Sequence, residues 1–333
     1  MRRFLVVGDG GWGTAVAIHL ARKGLEATIW SHDPEYAAHL REKRVNPRFL
    51  PGYEIPASVR ITSDFAEGVG DAELVISAVP TEFLRLVWGR HATLLPARLP
   101  ILSLTKGVEQ ETMRRPLEIL GELTPGHPLA VLSGPNIAWE VAKGLPAAAV
   151  VAGDRALAGA VREHFSSASF RVYTNPDAVG VELGGALKNV IALASGLCDG
   201  LGLGHNAKAA LLTRGVIEMA RLGQALGAER KTFFGLAGLG DLMTTCSSPT
   251  SRNRTVGERI GRGERPEDVL GSMAQIAEGA KSAAPVRTLG RAKGIDLPIT
   301  EEVYRVLHEG RAPKDSVASL MQRGRKDEAE DLG

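Results

Sequence analysis

The stretch that decides the fold is Phe4-Leu5-Val6-Val7, followed by Gly8-Asp9-Gly10-Gly11-Trp12-Gly13 and then Thr14-Ala15. Four apolar residues in a row read as a buried strand, and the glycines after them fall at the spacing G-x-G-x-x-G. In a strand–turn–helix unit each glycine has a physical task. Gly8 permits the tight turn, Gly10 lets a pyrophosphate approach the backbone, and Gly13 lets the new helix pack closely on the strand. Backbone N–H groups at that helix start, with the positive end of its dipole, then hold phosphate oxygens. A glycine cluster also makes ordinary loops. The strand before it and the helix after it favour a dinucleotide.

Outward from the turn, Ala15, Ala17, Ile18 and Ala21 give the helix a small apolar face. Arg22 and Lys23 mark its last turn, with Gly24 just past it. Ala27-Thr28-Ile29-Trp30 reads as the second strand. An acid at the tip of that strand bonds the ribose 2′-OH of NAD, whereas a base accepts a 2′-phosphate. Asp33 lies about 20 residues beyond the glycines, which by count alone points to NAD. Strand geometry instead puts Ser31 and His32 at the tip, and Asp33 before Pro34 has the character of a helix N-cap. NADP is therefore favoured, with NAD tolerated. Pro34 to Lys43 reads as a helix, and Asn46-Pro47 through Pro51-Gly52 as a loop rich in breakers.

Leu74 to Val79 is a continuous apolar run of the kind found in buried parallel strands. Ile101 to Leu104 is another and delivers Thr105-Lys106-Gly107 at its carboxyl end, the edge where ligands bind in open α/β sheets. Lys106 is then either a ligand contact or a solvated loop lysine. Leu129 to Leu132 runs into the polar turn Ser133-Gly134-Pro135-Asn136. Ala147 to Ala152 and Phe170 to Tyr173 complete the half. The alternation predicts an α/β domain with a parallel sheet and helices on both faces.

Beyond Asn175-Pro176 the pattern changes to long amphipathic helices, which places the boundary near Asp177. The division expected is a dinucleotide-binding domain over 1–177 and a helical domain over 178–333. In the first of these helices Leu187, Val190, Ile191, Ala194 and Leu197 share one arc. Lys188, Ala192, Ser195 and Asp199 form a different stripe, with Asp199 close to the end marked by Gly200. A lysine followed by small residues suits a helix lining a cleft. It equally suits a surface helix whose lysine meets water, and periodicity does not separate the two. His205 to Gly227 reads as a helix with Leu211, Leu212, Val216, Met219, Leu222 and Leu226 on its apolar face. Phe234 to Asp241 is a glycine-rich turn that either presents Asp241 or is structural alone. Ser251-Arg252-Asn253-Arg254 precedes a helix over Thr255 to Ile260. Such a start is an anion site or a solvated basic turn. The mixed charges of Arg323 to Asp331 read as a solvated helix end.

The chain has 333 residues, 44% of them hydrophobic and 23% charged, as in globular proteins of two domains or one large one. A net charge of +2 makes no argument for a nucleic-acid partner. Cys198 and Cys246 are distant and lack C-x-x-C spacing, so neither a disulfide framework nor a structural zinc is expected, and a reducing compartment fits. No metal site is read from the sequence. Arg2-Arg3 precedes apolar residues as in a signal peptide, but the apolar run ends at Val7. No run of about 20 apolar residues is expected to cross a bilayer.

Taken together, Gly8-Asp9-Gly10-Gly11-Trp12-Gly13-Thr14-Ala15, Thr105-Lys106-Gly107, Ser133-Gly134-Pro135, Gly184-Gly185-Ala186-Leu187-Lys188-Asn189, Gly238-Leu239-Gly240-Asp241 and Ser251-Arg252-Asn253-Arg254 form an ordered set across both halves. In these motifs the chain resembles the bacterial NAD(P)-dependent glycerol-3-phosphate dehydrogenases nearly end to end. The resemblance implies a Rossmann-type domain joined to an all-helical C-terminal domain like that of 6-phosphogluconate dehydrogenase. It implies reversible reduction of dihydroxyacetone phosphate to sn-glycerol 3-phosphate, the backbone of glycerophospholipids, by a homodimer. The short apolar run at the N-terminus and the absence of a spanning segment lead to the expectation of a cytoplasmic protein with no integral membrane segment. By the same resemblance Lys188 is the catalytic proton acceptor, with Asp241 and Thr245 beside it. Gly11, Trp12, His32, Lys106, Ala138, Arg252, Ile276 and Glu278 would contact the cofactor, alongside the turn glycines Gly8, Gly10 and Gly13. Lys106, Gly134, Asn136, Lys188, Asp241, Ser251, Arg252 and Asn253 would contact the substrate. Asn136 is a departure, since bacterial members commonly carry Ser or Thr there, and Asn136-Ile137-Ala138 is more like the eukaryotic enzymes. Two other readings are a two-domain dehydrogenase of a sugar acid or β-hydroxyacid, and a dinucleotide sensor that has lost its chemistry. The former would not need the Gly-Leu-Gly-Asp and Ser-Arg-Asn-Arg pair. The presence of both Lys188 and Asp241 argues against the latter.

Overall fold

Phe4, Val6, Ile29, Ile76 and Leu102 point to one side of a sheet, and Leu5, Val7, Trp30, Val75 and Ile101 to the other, all of them buried. This is why the strands read as unbroken apolar runs: helices cover both faces. The computed structural model describes residues 1–273, 277–324 and 327. The chain forms two compact units, the first comprising Met1–Glu109 with Arg114–Val181, the second Gln110–Met113 with the residues from Glu182 onward.

The first unit runs β1 (Arg3–Val7), α1 (Gly11–Arg22), β2 (Glu26–Trp30), α2 (Pro34–Lys43), β3 (Val45–Asn46), β4 (Leu50–Glu54), β5 (Arg60–Thr62), α3 (Phe65–Val69), β6 (Leu74–Ser77) and α4 (Thr81–His91). It continues through β7 (Ile101–Ser103), α5 (Pro116–Leu123), β8 (Leu129–Ser133), α6 (Ala138–Lys143), β9 (Ala147–Gly153), α7 (Arg155–Phe165) and β10 (Phe170–Thr174). Eight strands form one sheet in the order β10-β9-β8-β7-β6-β1-β2-β5. From β1 the chain builds outward through β2 to β5, then returns to β6 and builds the other way. The carboxyl ends of β1 and β6 thus meet at the switch point where α/β sheets bind ligands. Two details differ from the expected pattern. β9 runs antiparallel to β8, so the sheet is mixed. The connection between them is built on α6, of only 6 residues, and turns back at the same edge, whereas a parallel neighbour needs a crossover. The stretch expected as a breaker-rich loop over Asn46 to Gly52 instead folds into the antiparallel pair β3–β4.

The second unit is helical: α8 (Ala178–Gly200, whose first residues belong to the first unit), α9 (Gly204–Ala225), α10 (Asp241–Ser247), α11 (Arg252–Gly261), α12 (Pro266–Gly271), α13 (Glu278–Ala292), α14 (Pro298–His308) and α15 (Pro313–Met321). α8 has the length and apolar composition of a membrane span, contrary to the expectation that no segment reaches it, but 94% of that window is buried inside the protein. Both of its stripes are covered. Leu187, Val190, Ile191, Ala194 and Leu197 are buried, and so are Lys188, Ala192 and Ser195. Asp199 lies inside the helix, not past its end. Glycines let α11 lie almost backbone to backbone on α8. A Cβ on Gly196 would fall 2.0 Å from the Arg254 carbonyl oxygen, and one on Gly257 2.0 Å from that of Leu193. On α9 the burial begins only at Gly215, so Leu211 and Leu212 are half-covered and do not belong to the core as their spacing suggested.

Candidate functional site

In the first unit the glycine turn takes the form its spacing demands. Gly8 has φ +113°, in the region that disfavours side chains, and its N–H donates to the Trp30 carbonyl at 3.0 Å. A Cβ on Gly13 would lie 2.4 Å from the Gly8 oxygen, so only glycine lets α1 begin this close to β1. At Gly10 the space is open, with no atom within 4 Å of an added Cβ. No side chain caps the N-terminus of α1, and no acid sits in its first turn. An open approach in front of uncapped N–H groups fits a pyrophosphate. The expected cofactor residues Gly8, Gly10, Gly11, Trp12 and Gly13 thus lie together past the carboxyl end of β1, with Gly13 buried against the strand.

The neighbouring strands bring further groups to that edge. Thr105, past β7, donates to the Val79 oxygen at 2.8 Å and steers the chain into Lys106. Lys106 Nζ donates to the Gly134 oxygen at 3.2 Å, and Gly134 itself has φ +138° with the Ala148 oxygen 3.1 Å from a would-be Cβ. Asn136 Nδ2 donates to Ala148 O at 3.3 Å, while its Oδ1 is buried with no partner among the described residues. Ala138 opens α6 beside Gly11. His32 is exposed just beyond β2, and Asp33 caps α2 by accepting from the Glu35 and Tyr36 N–H groups at 3.0 and 3.1 Å. Ser31, directly past β2 at the strand tip, is fully buried and donates to Asp9 Oδ2 at 2.6 Å.

In the second unit the lysine does not meet water. Lys188 is 6% exposed, and Asp241 is 3% exposed. Lys188 Nζ donates to Asp241 Oδ1 at 2.6 Å and to Thr245 Oγ1 at 2.7 Å, and the Thr245 hydroxyl donates onward to the Asp241 backbone oxygen at 2.7 Å. A buried ammonium requires such a counter-charge. Asp241 is not the tip of a glycine turn as expected. Leu236–Gly240 forms a wide π-type turn that runs directly into α10, so Asp241 and Thr245 stand one helical turn apart on the same face. Glycine is required where this turn meets α8, because a Cβ on Gly184 would lie 2.6 Å from the Ala237 oxygen. Cys246, next along α10, has its thiol pushed up to about 11 by burial, so it is neutral at physiological pH and offers no thiolate.

A second network adjoins. Asn189 Nδ2 donates to Glu278 Oε2 at 2.9 Å, Asn253 Nδ2 to Asn189 Oδ1 at 3.0 Å, and the Gly279 N–H to Asn253 Oδ1 at 2.8 Å. It ties α8, α11 and the start of α13 together. The helix expected at Thr255 begins at Arg252, with Ser251 as its cap accepting from the Arg254 N–H at 3.3 Å. Arg252 is exposed in the first turn, whereas Arg254 turns inward to Asp199 at 2.7 Å. Ile276 lies outside the described residues.

The model of the NAD-dependent glycerol-3-phosphate dehydrogenase N-terminus matches residues 4–158, and that of its C-terminus matches residues 177–318. The chain belongs to the NAD-dependent glycerol-3-phosphate dehydrogenase family. Among relatives of that name, the NAD(P)+ enzyme of Geobacter sulfurreducens is 46% identical over 330 residues, 98% of each chain. That of Moorella thermoacetica is 46% identical over 326 residues, 98% of this chain and 97% of the relative. A solved glycerol-3-phosphate dehydrogenase from Coxiella burnetii is 36% identical, with a TM-score of 0.92 over 97% of this chain and 99% of its own.

For this member of the family, the glycine turn and the lysine were legible as motifs, and the residues around them less so. Thr245 is reached through the family resemblance alone, because the turn reading of Gly238–Asp241 hid the helix that carries it. Asn189 is adjacent to the lysine in sequence, but its partners Asn253 and Glu278 are distant in the chain and nothing in their spacing announces the network. Asn46 and Arg48, in the β3–β4 hairpin, gave no sequence signal. Asn46 bonds to the turn at Asp9 and Thr14, and Arg48 stands beside the Asp33 cap of α2.

Proposed function

We propose that this protein catalyses the reversible NAD(P)H-dependent reduction of dihydroxyacetone phosphate to sn-glycerol 3-phosphate, and so supplies the backbone for glycerophospholipid synthesis. The observation that carries the reading is the buried Lys188–Asp241–Thr245 cluster, at 2.6 and 2.7 Å, in a chain matched by the family over nearly its whole length. Hydride chemistry is supplied by the nicotinamide dinucleotide when it is bound. Lys188 as an ammonium stabilises the C2 oxygen as negative charge develops there and hands it a proton, completing the alcohol. In the oxidative direction the neutral amine takes that proton back. Asp241 holds the cation in place, and Thr245 fixes the direction of Nζ.

Further assignments follow the family. Gly8, Gly10, Gly11, Trp12, Gly13, His32, Lys106, Ala138, Arg252 and Glu278 contact the dinucleotide. Lys106, Gly134, Asn136, Ser251, Arg252 and Asn253 contact the substrate, with Arg252 a donor to its phosphate. Binding energy from that phosphate then positions C2. The open, uncapped turn before α1 supports a dinucleotide, and Asp33 acting as a cap supports NADP over NAD. The enzyme works in the cytoplasm as a homodimer.

The test is NADPH and NADH oxidation by the purified protein with dihydroxyacetone phosphate, with 6-phosphogluconate and NADP+ as the contrast. Turnover with the first substrate only is the expected result. Turnover with the second only, or with neither, overturns the reading.

A further inference from the structure

We propose that Arg48, at the tip of the β3–β4 hairpin, binds the 2′-phosphate of NADP and sets the preference of this protein for the phosphorylated dinucleotide. The inference rests on the dinucleotide reading of the glycine turn, and it adds a residue that the motifs do not contain.

In a sheet of this topology the adenosine ribose lies past the carboxyl end of β2. Of the polar side chains nearest that end, His32 is exposed, whereas Ser31 and Asp33 are engaged elsewhere. Ser31 donates to Asp9 Oδ2 at 2.6 Å, and Asp33 Oδ1 accepts two α2 N–H groups at 3.0 and 3.1 Å. Those N–H groups, that of Tyr36 foremost, together with Arg48, hold the Asp33 carboxyl below its ordinary range, so it stays ionised and would repel a phosphate left uncompensated. Arg48 supplies the compensation. Its guanidinium stands 4.0 Å above the Tyr36 ring, and Nη1 is 3.5 Å from Asp33 Oδ2. The side chain is 59% exposed. A guanidinium carries five N–H donors in a planar fork, whose geometry matches two phosphate oxygens.

The hairpin that carries Arg48 is fastened to the glycine turn. Asn46 is fully buried and donates to the Asp9 carbonyl at 2.7 Å and to Thr14 Oγ1 at 2.8 Å. The Tyr36 hydroxyl donates to Asn46 Oδ1 at 2.7 Å and accepts from the Arg48 N–H at 3.3 Å. The Phe49 carbonyl lies where a Cβ on Gly11 would stand, 2.5 Å away. The positive charge is therefore held at a fixed distance from the surface that receives the pyrophosphate.

Titration of the full-length protein with NADPH, NADH and 2′,5′-ADP, followed by calorimetry and tryptophan fluorescence, tests this. Arg48→Gln is expected to raise the Kd for NADPH by about tenfold or more and that for NADH by less than about twofold. It should also abolish competition by 2′,5′-ADP, with thermal unfolding unchanged. Arg48→Lys keeps the charge without the fork and should fall between. Equal weakening of NADPH and NADH, or no change in either, overturns the assignment while leaving the dehydrogenase reading intact. A wild-type protein that binds neither dinucleotide overturns that reading instead.

Discussion

Lys188 and Asp241 are more than nine-tenths buried and 2.6 Å apart, so each is intolerable without the other. Lys188→Ala should lower kcat by about 10²–10⁴-fold, the range of a lost general acid. It should also destabilise the fold by about 3–5 kcal/mol, because Asp241 is left charged in the interior. The double variant Lys188→Met with Asp241→Leu separates these effects. It should recover most of the melting temperature and none of the turnover, and turnover recovered with stability would remove the lysine from the chemistry. Arg252 is a different case, exposed and with no stability role in view. Arg252→Ala should raise the KM for dihydroxyacetone phosphate by about tenfold, the worth of one charge-assisted contact, at unchanged melting temperature. Steady-state kinetics with varied substrate decides this, and an unaltered KM would take Arg252 out of the phosphate site.

At the level of elements, the contact of α8 with α11 depends on having no side chains at Gly196, Gly200, Gly257 and Gly261. Gly257→Ala would push a methyl group against the Leu193 carbonyl and should cost about 1–3 kcal/mol, measurable by urea unfolding. The start of α14 is fastened differently. Glu218, on α9, accepts from the Ile299 N–H, the Thr300 N–H and the Thr300 hydroxyl at 2.8, 2.9 and 2.5 Å, where no side chain of α14 itself caps. Burial outweighs these donors, and nearby Asp296 adds to it, so the carboxyl is pushed up to about 7 from 4.5. The folded state thus holds a proton that the unfolded chain has released. The resulting stability is fully present below pH 4.5 and is lost as pH rises toward 7, on the order of 3 kcal/mol in all. Glu218→Gln should remove this slope from the pH dependence of urea unfolding between pH 5 and 7. An identical slope in wild type and variant would contradict the assignment. These examples show what periodicity can disclose. The strands were legible because both faces of the sheet are covered, and α2 because its cap and proline are local. The reversal of β9 was not, since an apolar strand reads the same in either direction. The β3–β4 pair was missed for a related reason: breakers such as Pro47 and Gly52 mark a hairpin and a loop alike. Glu218, and the bonds that tie Asn253 to Asn189 and Gly279, were silent because the partners are far apart along the chain.

Across the whole molecule, 40 basic and 38 acidic residues leave a net charge of only +2. An anionic substrate is then drawn by local groups and not by an overall field, so association should depend weakly on ionic strength beyond the contacts themselves. A ligand that binds only the folded chain also stabilises it. NADPH at about a hundredfold its Kd should add about 2.7 kcal/mol, a rise of about 5–10 °C in the melting midpoint of a unit of this size. Scanning calorimetry with and without NADPH reads this directly, and an unmoved midpoint would contradict dinucleotide binding to the native protein. The fastening of the β3–β4 hairpin carries a broader implication for how such a protein can change. Asn46 and the Gly11–Phe49 contact fix where the hairpin sits, while the half-exposed side chain at position 48 lies over Tyr36 and beside Asp33. Location and charge are thus governed by separate residues. Selection, natural or in the laboratory, can retune the choice between two redox pools by rewriting the tip alone, without disturbing the turn that every dinucleotide must share.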